Sequence, residues 1–157
     1  MESRLKTIID NLKECFDGKP WYGDSVMKKL NSIDWQHVNH RPSGVRSIAT
    51  LLRHIINWRI FVLKKLQGDA TYDLVIDGPN DWSDVHIKNQ GEWEQLKQEL
   101  IQTQDDLLAV LGRSTDPILE TEVPGKQYDF GPVLNSIAQH DIYHLGQIAL
   151  IDSAVRS

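Results

Sequence analysis

The stretch SIATLLRHIINWRIFVLKKL, residues 47–66, decides the fold. Ser47 is the expected N-cap of a helix over residues 48–66, since a serine oxygen can take up a free N–H of the first turn. Lys64 and Lys65 fall in the last turn, where positive charge suits the helix dipole, and Gly68 can close the C-terminal turn. At 1.5 Å per residue such a helix is about 28 Å long, enough to span a small domain. His54 lies on its apolar side, between Phe61 and the edge formed by Leu51 and Trp58.

Three further segments carry the same period. Residues 2–16 place Leu5, Ile8, Ile9, Leu12 and Phe16 at helical spacing. Gly18 and Pro20 interrupt that pattern, and a shorter piece with Val26, Met27 and Leu30 resumes near Asp24. This arm reads as one bent helix or as two. Asn39, Pro42 and Gly44 mark residues 34–44 as a loop. Residues 69–91, with Gly78, Pro79, Asn80 and Asp81, read as a long connection, and a loop of that length is usually functional or partly structured. Trp93, Leu96, Leu100, Leu107 and Leu111 define a third long helix that Gly112 ends, and Pro117, Pro124 and Gly125 mark a second irregular stretch. Asp129 is the expected N-cap of the last helix, with Pro132 in its first turn, where a missing N–H is tolerated. That helix is expected to run to about Ala154. With no internal repeat and no strand alternation, the expectation is an all-α four-helix bundle, one domain over residues 1–157, with long irregular connections.

Composition narrows the function classes. Hydrophobic residues at 40% and charged residues at 25% are ordinary globular values. A net charge of −5 argues against nucleic acid as a main partner, because phosphate binding needs a basic face. Cys15 is the single cysteine, which excludes an intramolecular disulfide and a cysteine zinc knuckle; its amphipathic setting points to packing. No apolar run is long enough to span a bilayer, and mixed polar sequence instead of a signal-peptide core follows Met1–Arg4. A cytoplasmic location is expected.

The chemistry-bearing residues are His140 and His144, in the run Gln139-His140-Asp141-Ile142-Tyr143-His144-Leu145-Gly146-Gln147. Residues four apart share a helix face, so two imidazoles can converge on one cation. Val133, Ile137, His140, His144, Gln147, Ile148 and Ile151 form one arc, which turns both histidines towards the interior. Inside a bundle they need hydrogen-bond partners or a metal, and the helix alone leaves these two readings open. His54 is the natural third ligand; His37 and His40, in a polar loop, are rivals, and His86 is a weaker one. A carboxylate-bridged di-iron site is disfavoured because no Glu precedes a His by three residues. Neither His-Glu-x-x-His nor Gly-x-Ser-x-Gly occurs.

Three stretches together resemble the DinB-like family. Lys19-Pro20-Trp21-Tyr22-Gly23-Asp24-Ser25 looks like its Trp-x-Gly segment, residues 47–59 are similar to its second-helix motif, and residues 140–148 match its last-helix motif. The resemblance covers essentially the whole chain and implies a four-helix bundle in which His54, His140 and His144 hold a divalent metal ion. Some members carry a histidine just before the position of Ser47; here Arg46 stands there. The family includes bacterial thiol-dependent transferases, so the resemblance implies transfer of a low-molecular-weight thiol to an electrophile.

Three neutral imidazoles leave a coordination position open, as in catalytic sites, and nitrogen ligands suit zinc or nickel. A non-catalytic metal binder or sensor, a metal-dependent hydrolase, and a bundle whose histidines only hydrogen-bond remain as alternatives. No catalytic side chain is singled out. The partners expected are a small-molecule substrate and a low-molecular-weight thiol, with neither nucleic acid nor membrane; a homodimer is left open. Gln147 is placed to hydrogen-bond metal-bound water, and Asp141 and Tyr143 are expected at the surface or in packing. Trp21 and Trp82 either wall a pocket or anchor by burial, and Arg59 either binds an acidic substrate or pairs with a carboxylate.

Overall fold

Capping and punctuation set the helix boundaries. In the computed structural model, which describes residues 2–157, these are α1 (Arg4–Asp17), α2 (Val26–Asn31), α3 (Ile48–Leu66), α4 (Gln90–Leu111) and α5 (Phe130–Arg156). Short 3-10 turns at Trp35–His37 and Asp116–Glu120 lie in the connections, and no strand occurs among the described residues. The chain is therefore all-helical, as the sequence predicts. The Ser3, Ser25, Ser47 and Asn89 side chains each accept a first-turn backbone N–H of their helices. Asp129 occupies the N-cap of α5 as expected, but its side chain makes no capping bond. Gly18 and Pro20 separate α1 from α2, so the N-terminal arm is two helices.

Helix α3 is the hub. It packs against α4 and α5, while α1 touches α5, α4 and α2. Because it is enclosed on most sides, Ile48, Leu52, Ile55 and Ile56 are buried together with Phe61, Val62 and Leu63. One core cluster gathers Leu52, Ile56, Trp93, Leu100 and Ile148; the other gathers Leu5, Leu12, Phe61, Leu107 and Leu134. Each such fully enclosed aliphatic side chain contributes about 1.5–3 kcal/mol by leaving water.

A buried polar chain crosses the middle of this core and touches all four long helices. Arg59 of α3 pairs with Asp141 of α5 through Nη2–Oδ2 at 2.5 Å and Nε–Oδ1 at 3.4 Å. Its Nη1 donates to Gln104 of α4 at 2.9 Å, and Gln104 Nε2 donates to the Leu12 carbonyl of α1 at 3.2 Å. The Arg59 guanidinium also stands 5.2 Å from the Phe16 ring centre. The carboxylate-pairing reading of Arg59 is thus the observed one, and Asp141 is not a surface residue.

The two long connections meet at one end. In the first, the Asp69 carboxylate accepts the N–H groups of Thr71 and Tyr72, and Asn80 accepts from Val75 N while donating to the Asp73 carbonyl. In the second, Gly125 has φ +77°, and a Cβ there would lie 2.5 Å from the Ala70 carbonyl oxygen, so only glycine lets the loops touch. Lys126 completes the join with an ion pair to Asp73 at 2.7 Å.

Candidate metal centre

Two helices and one loop bring three imidazoles together. His54 comes from the second turn of α3, and His140 and His144 come from one face of α5. Their nitrogens lie within 4.8 Å of one another, and theirs is the one such grouping among the described residues. His140 Nε2 is 3.1 Å from His54 Nε2 and 3.1 Å from His144 Nε2. His37, His40 and His86 do not join them.

The outer nitrogens fix the tautomers. His54 Nδ1 faces two acceptors, the Asp81 carboxylate at 2.8 Å and the Asp81 carbonyl at 3.2 Å, so it must carry the proton. His144 Nδ1 donates to Gln147 Oε1 at 2.6 Å. Both Nε2 atoms therefore present lone pairs to His140 Nε2, where a single proton can satisfy only one of them. Imidazole nitrogens about 2.0–2.1 Å from one ion stand about 2.9–3.4 Å apart between right-angle and tetrahedral geometry. The two 3.1 Å separations fit that range, so these residues could hold a metal ion. Gln147 orients a histidine instead of standing ready to bind water.

Electrostatics favour the neutral, ligating form. Burial lowers the pKa of His54 despite the opposing pull of Asp81, and burial likewise lowers that of His144. Burial also pushes His140 down to about 3, with the neighbouring His144 and His54 adding to the effect.

The surrounding residues hold His54 from three sides. Trp82 stacks on its ring at 3.7 Å and 5°, and the Arg46 guanidinium lies 4.0 Å from the Trp82 ring centre. Asn57 donates to the Asn80 and Asp81 carbonyls and to Ser83 Oγ, and Trp58 Nε1 donates to Asp81 Oδ1 at 2.8 Å. Residues 54, 57 and 58 share one helix face, so α3 grips the 80–83 segment with three side chains from that face. The Asp81 carboxylate also accepts the Asp77 N–H at 2.8 Å, which Asp77 reaches at φ 61°. Trp82 thus walls the site, whereas Trp21 is 100% exposed and takes no part in it. Tyr143 is exposed and sets its ring edge-on to His144. Asp81 is the residue of this candidate site that the sequence does not single out: nothing in a run of loop residues marks one carboxylate as a partner of His54.

The predicted arc of α5 overlaps one side of the buried face and runs out to its margin. At about 100° per residue, Leu134, Asp141, Leu145 and Asp152 lie about 80–120° further round than Val133 and about 60–100° further than His144. Those four are buried, as are Ile137, His144, Ile148 and Ile151 on the arc itself, whereas Val133 and His140 are half-buried and Gln147 is exposed. The histidines therefore stand where the interior opens, and beside them is a cleft of 610 Å³ walled by Trp58, Phe61, Val62, Trp82, Val133 and Ile137.

The model of the DinB superfamily matches residues 25–148. The chain belongs to the DinB superfamily. The match spans all three histidines, Asp81 and Asp141, while the stretch from Lys19 to Asp24 lies outside it. No curated protein and no solved structure gives a significant match to the chain.

Proposed function

We propose that this DinB-superfamily protein binds one divalent metal ion, zinc or nickel, on His54, His140 and His144 and serves as a transferase that joins a low-molecular-weight thiol to an electrophilic small molecule. The observation that carries the reading is the convergence of the three Nε2 atoms beside an open cleft, with the outer nitrogens of His54 and His144 held by Asp81 and Gln147. An ion bound by three imidazoles keeps a position open, and there it lowers the pKa of a thiol or a water towards neutrality. The protein's own part is to keep the imidazoles neutral by burial, to fix their tautomers, and to hold the second reactant in a cleft with largely apolar walls. Asp81 raises the basicity of His54 through a short hydrogen bond, as carboxylates do behind metal-ligating histidines. A cytoplasmic location suits this chemistry, since thiols are kept reduced there.

Cobalt-substituted protein titrated with small bacterial thiols tests the proposal. The expected result is an intense near-ultraviolet charge-transfer band and altered visible d–d bands in the wild type, both absent in His140→Ala. If no thiol changes the cobalt spectrum and no thiol-dependent turnover of electrophiles appears, a hydrolytic or non-catalytic role replaces this one.

A further inference from the structure

The cleft beside the histidines has a chemical character that the metal chemistry does not dictate. Its volume of 610 Å³ falls within the range of small-molecule sites, about 300–1,000 Å³. Aromatic and aliphatic side chains make most of its wall: Trp58, Phe61, Val62, Val133 and Ile137 inside, Ile76 and Tyr128 at the mouth. Ile76 is 74% exposed and Tyr128 44% exposed, so folding alone leaves two large apolar groups in water at the entrance. They come from the two connections that Gly125 and the Lys126–Asp73 pair hold together.

The charges inside are already committed. Arg59 is the one Lys or Arg among the described residues that line the cleft, and it is engaged by Asp141 and Gln104. The Asp81 carboxylate is engaged by His54, Trp58 and the Asp77 N–H. Ser136 spends its hydroxyl proton on the Pro132 carbonyl at 2.7 Å. The exposed Asp77 carboxylate stands among the lining residues, where it opposes an incoming anion. Past the mouth of the metal-free cleft, an anion would lose its hydration without meeting a free cation, and a cation would find the carboxylates of Asp81 and Asp141 already paired.

We infer that the cleft binds an uncharged, largely apolar small molecule. On the proposed transferase reading, on which this assignment of role rests, that molecule is the electrophile. The apolar walls bind its body, and the histidine end of the cleft receives its reactive carbon.

Matched pairs of ligands test this by calorimetry on the full chain: 2-naphthamide against 2-naphthoate, and octanamide against octanoate. The charge comparison is made on chelator-treated protein, where no ion can attract a carboxylate, and the amides are repeated on protein as purified. At least one amide is expected to bind saturably at one per chain in both forms, and its carboxylate at least tenfold more weakly. Ser136→Trp, an exposed lip substitution, should weaken that amide at least tenfold with the circular dichroism spectrum unchanged. Ile76→Asp, on the exposed rim, should weaken it as well. The inference is overturned if neither amide binds saturably, if the carboxylate binds equally well, or if both variants bind like the wild type. These readings need neither thiol nor turnover, so their failure is distinct from failure of the cobalt titration.

Discussion

Replacing Asp141 by leucine isolates the contact that sets α5 against α3. Arg59 and Asp141 are each 2% exposed, so the guanidinium of the variant loses its counter-ion where little water reaches it. Removing one partner of a buried ion pair costs about 3–5 kcal/mol, because the remaining charge is stranded. Gln104 still accepts from Arg59 Nη1, which keeps the loss towards the lower end. Against a total stability of about 5–15 kcal/mol for a domain, the loss is a large share. With a urea slope of about 2 kcal/mol per molar, the unfolding midpoint should fall by about 1.5–2.5 M. The double variant Arg59→Met/Asp141→Leu removes both charges and should regain most of the loss, less about 1–3 kcal/mol for the Gln104 Oε1 left without a donor. Urea unfolding followed by far-ultraviolet circular dichroism reads both quantities. A loss below about 1 kcal/mol in Asp141→Leu, or a double variant less stable than the single one, would refute the burial of this pair. Because Asp141 lies between the two histidines of α5, metal affinity should fall in the single variant too.

Other outcomes follow from the same geometry. Asp81→Asn removes the charge behind His54 and should weaken metal binding about 10–100-fold, measured by competition with a chromophoric chelator. Trp82→Ala removes the stack on His54 and the platform of Arg46; metal affinity should fall while the helical signal stays intact. The pH response has a definite sign. All three imidazoles of the metal-free chain titrate below the ordinary value of 6.5, so the unfolded chain binds protons that the folded one refuses. Stability from this source is complete above about pH 6.5 and declines as pH falls towards about 3, the value for His140. Protons compete for the same nitrogens, so metal occupancy should fall as pH drops through these lowered values; occupancy unchanged at about pH 3 and micromolar metal would contradict an all-histidine site.

The fold was legible where local rules act alone. Ser47, Gly112 and the Gly18–Pro20 break each mark a boundary through capping or backbone chemistry, and those boundaries stand. Histidine spacing on α5 was legible too, since a period of four residues survives any error in helix phase. The phase itself was not. An arc centred on the histidines put Asp141 outside, because a carboxylate inside a bundle makes sense only once Arg59 is known to face it. Asp81 and Trp82 were hidden for a related reason. Their roles depend on how residues 69–89 fold back onto Asn57 and Trp58, and that path is set by tertiary hydrogen bonds, not by local propensity.

Metal content of untagged protein bears most directly on the triad of His54, His140 and His144. Inductively coupled plasma mass spectrometry on the wild type should find close to one zinc or nickel ion per chain, and His144→Ala should lose most of it. Wild-type protein that holds no divalent metal after exposure to both ions, or a His144→Ala variant that retains the full complement, would contradict a metal centre on these three histidines.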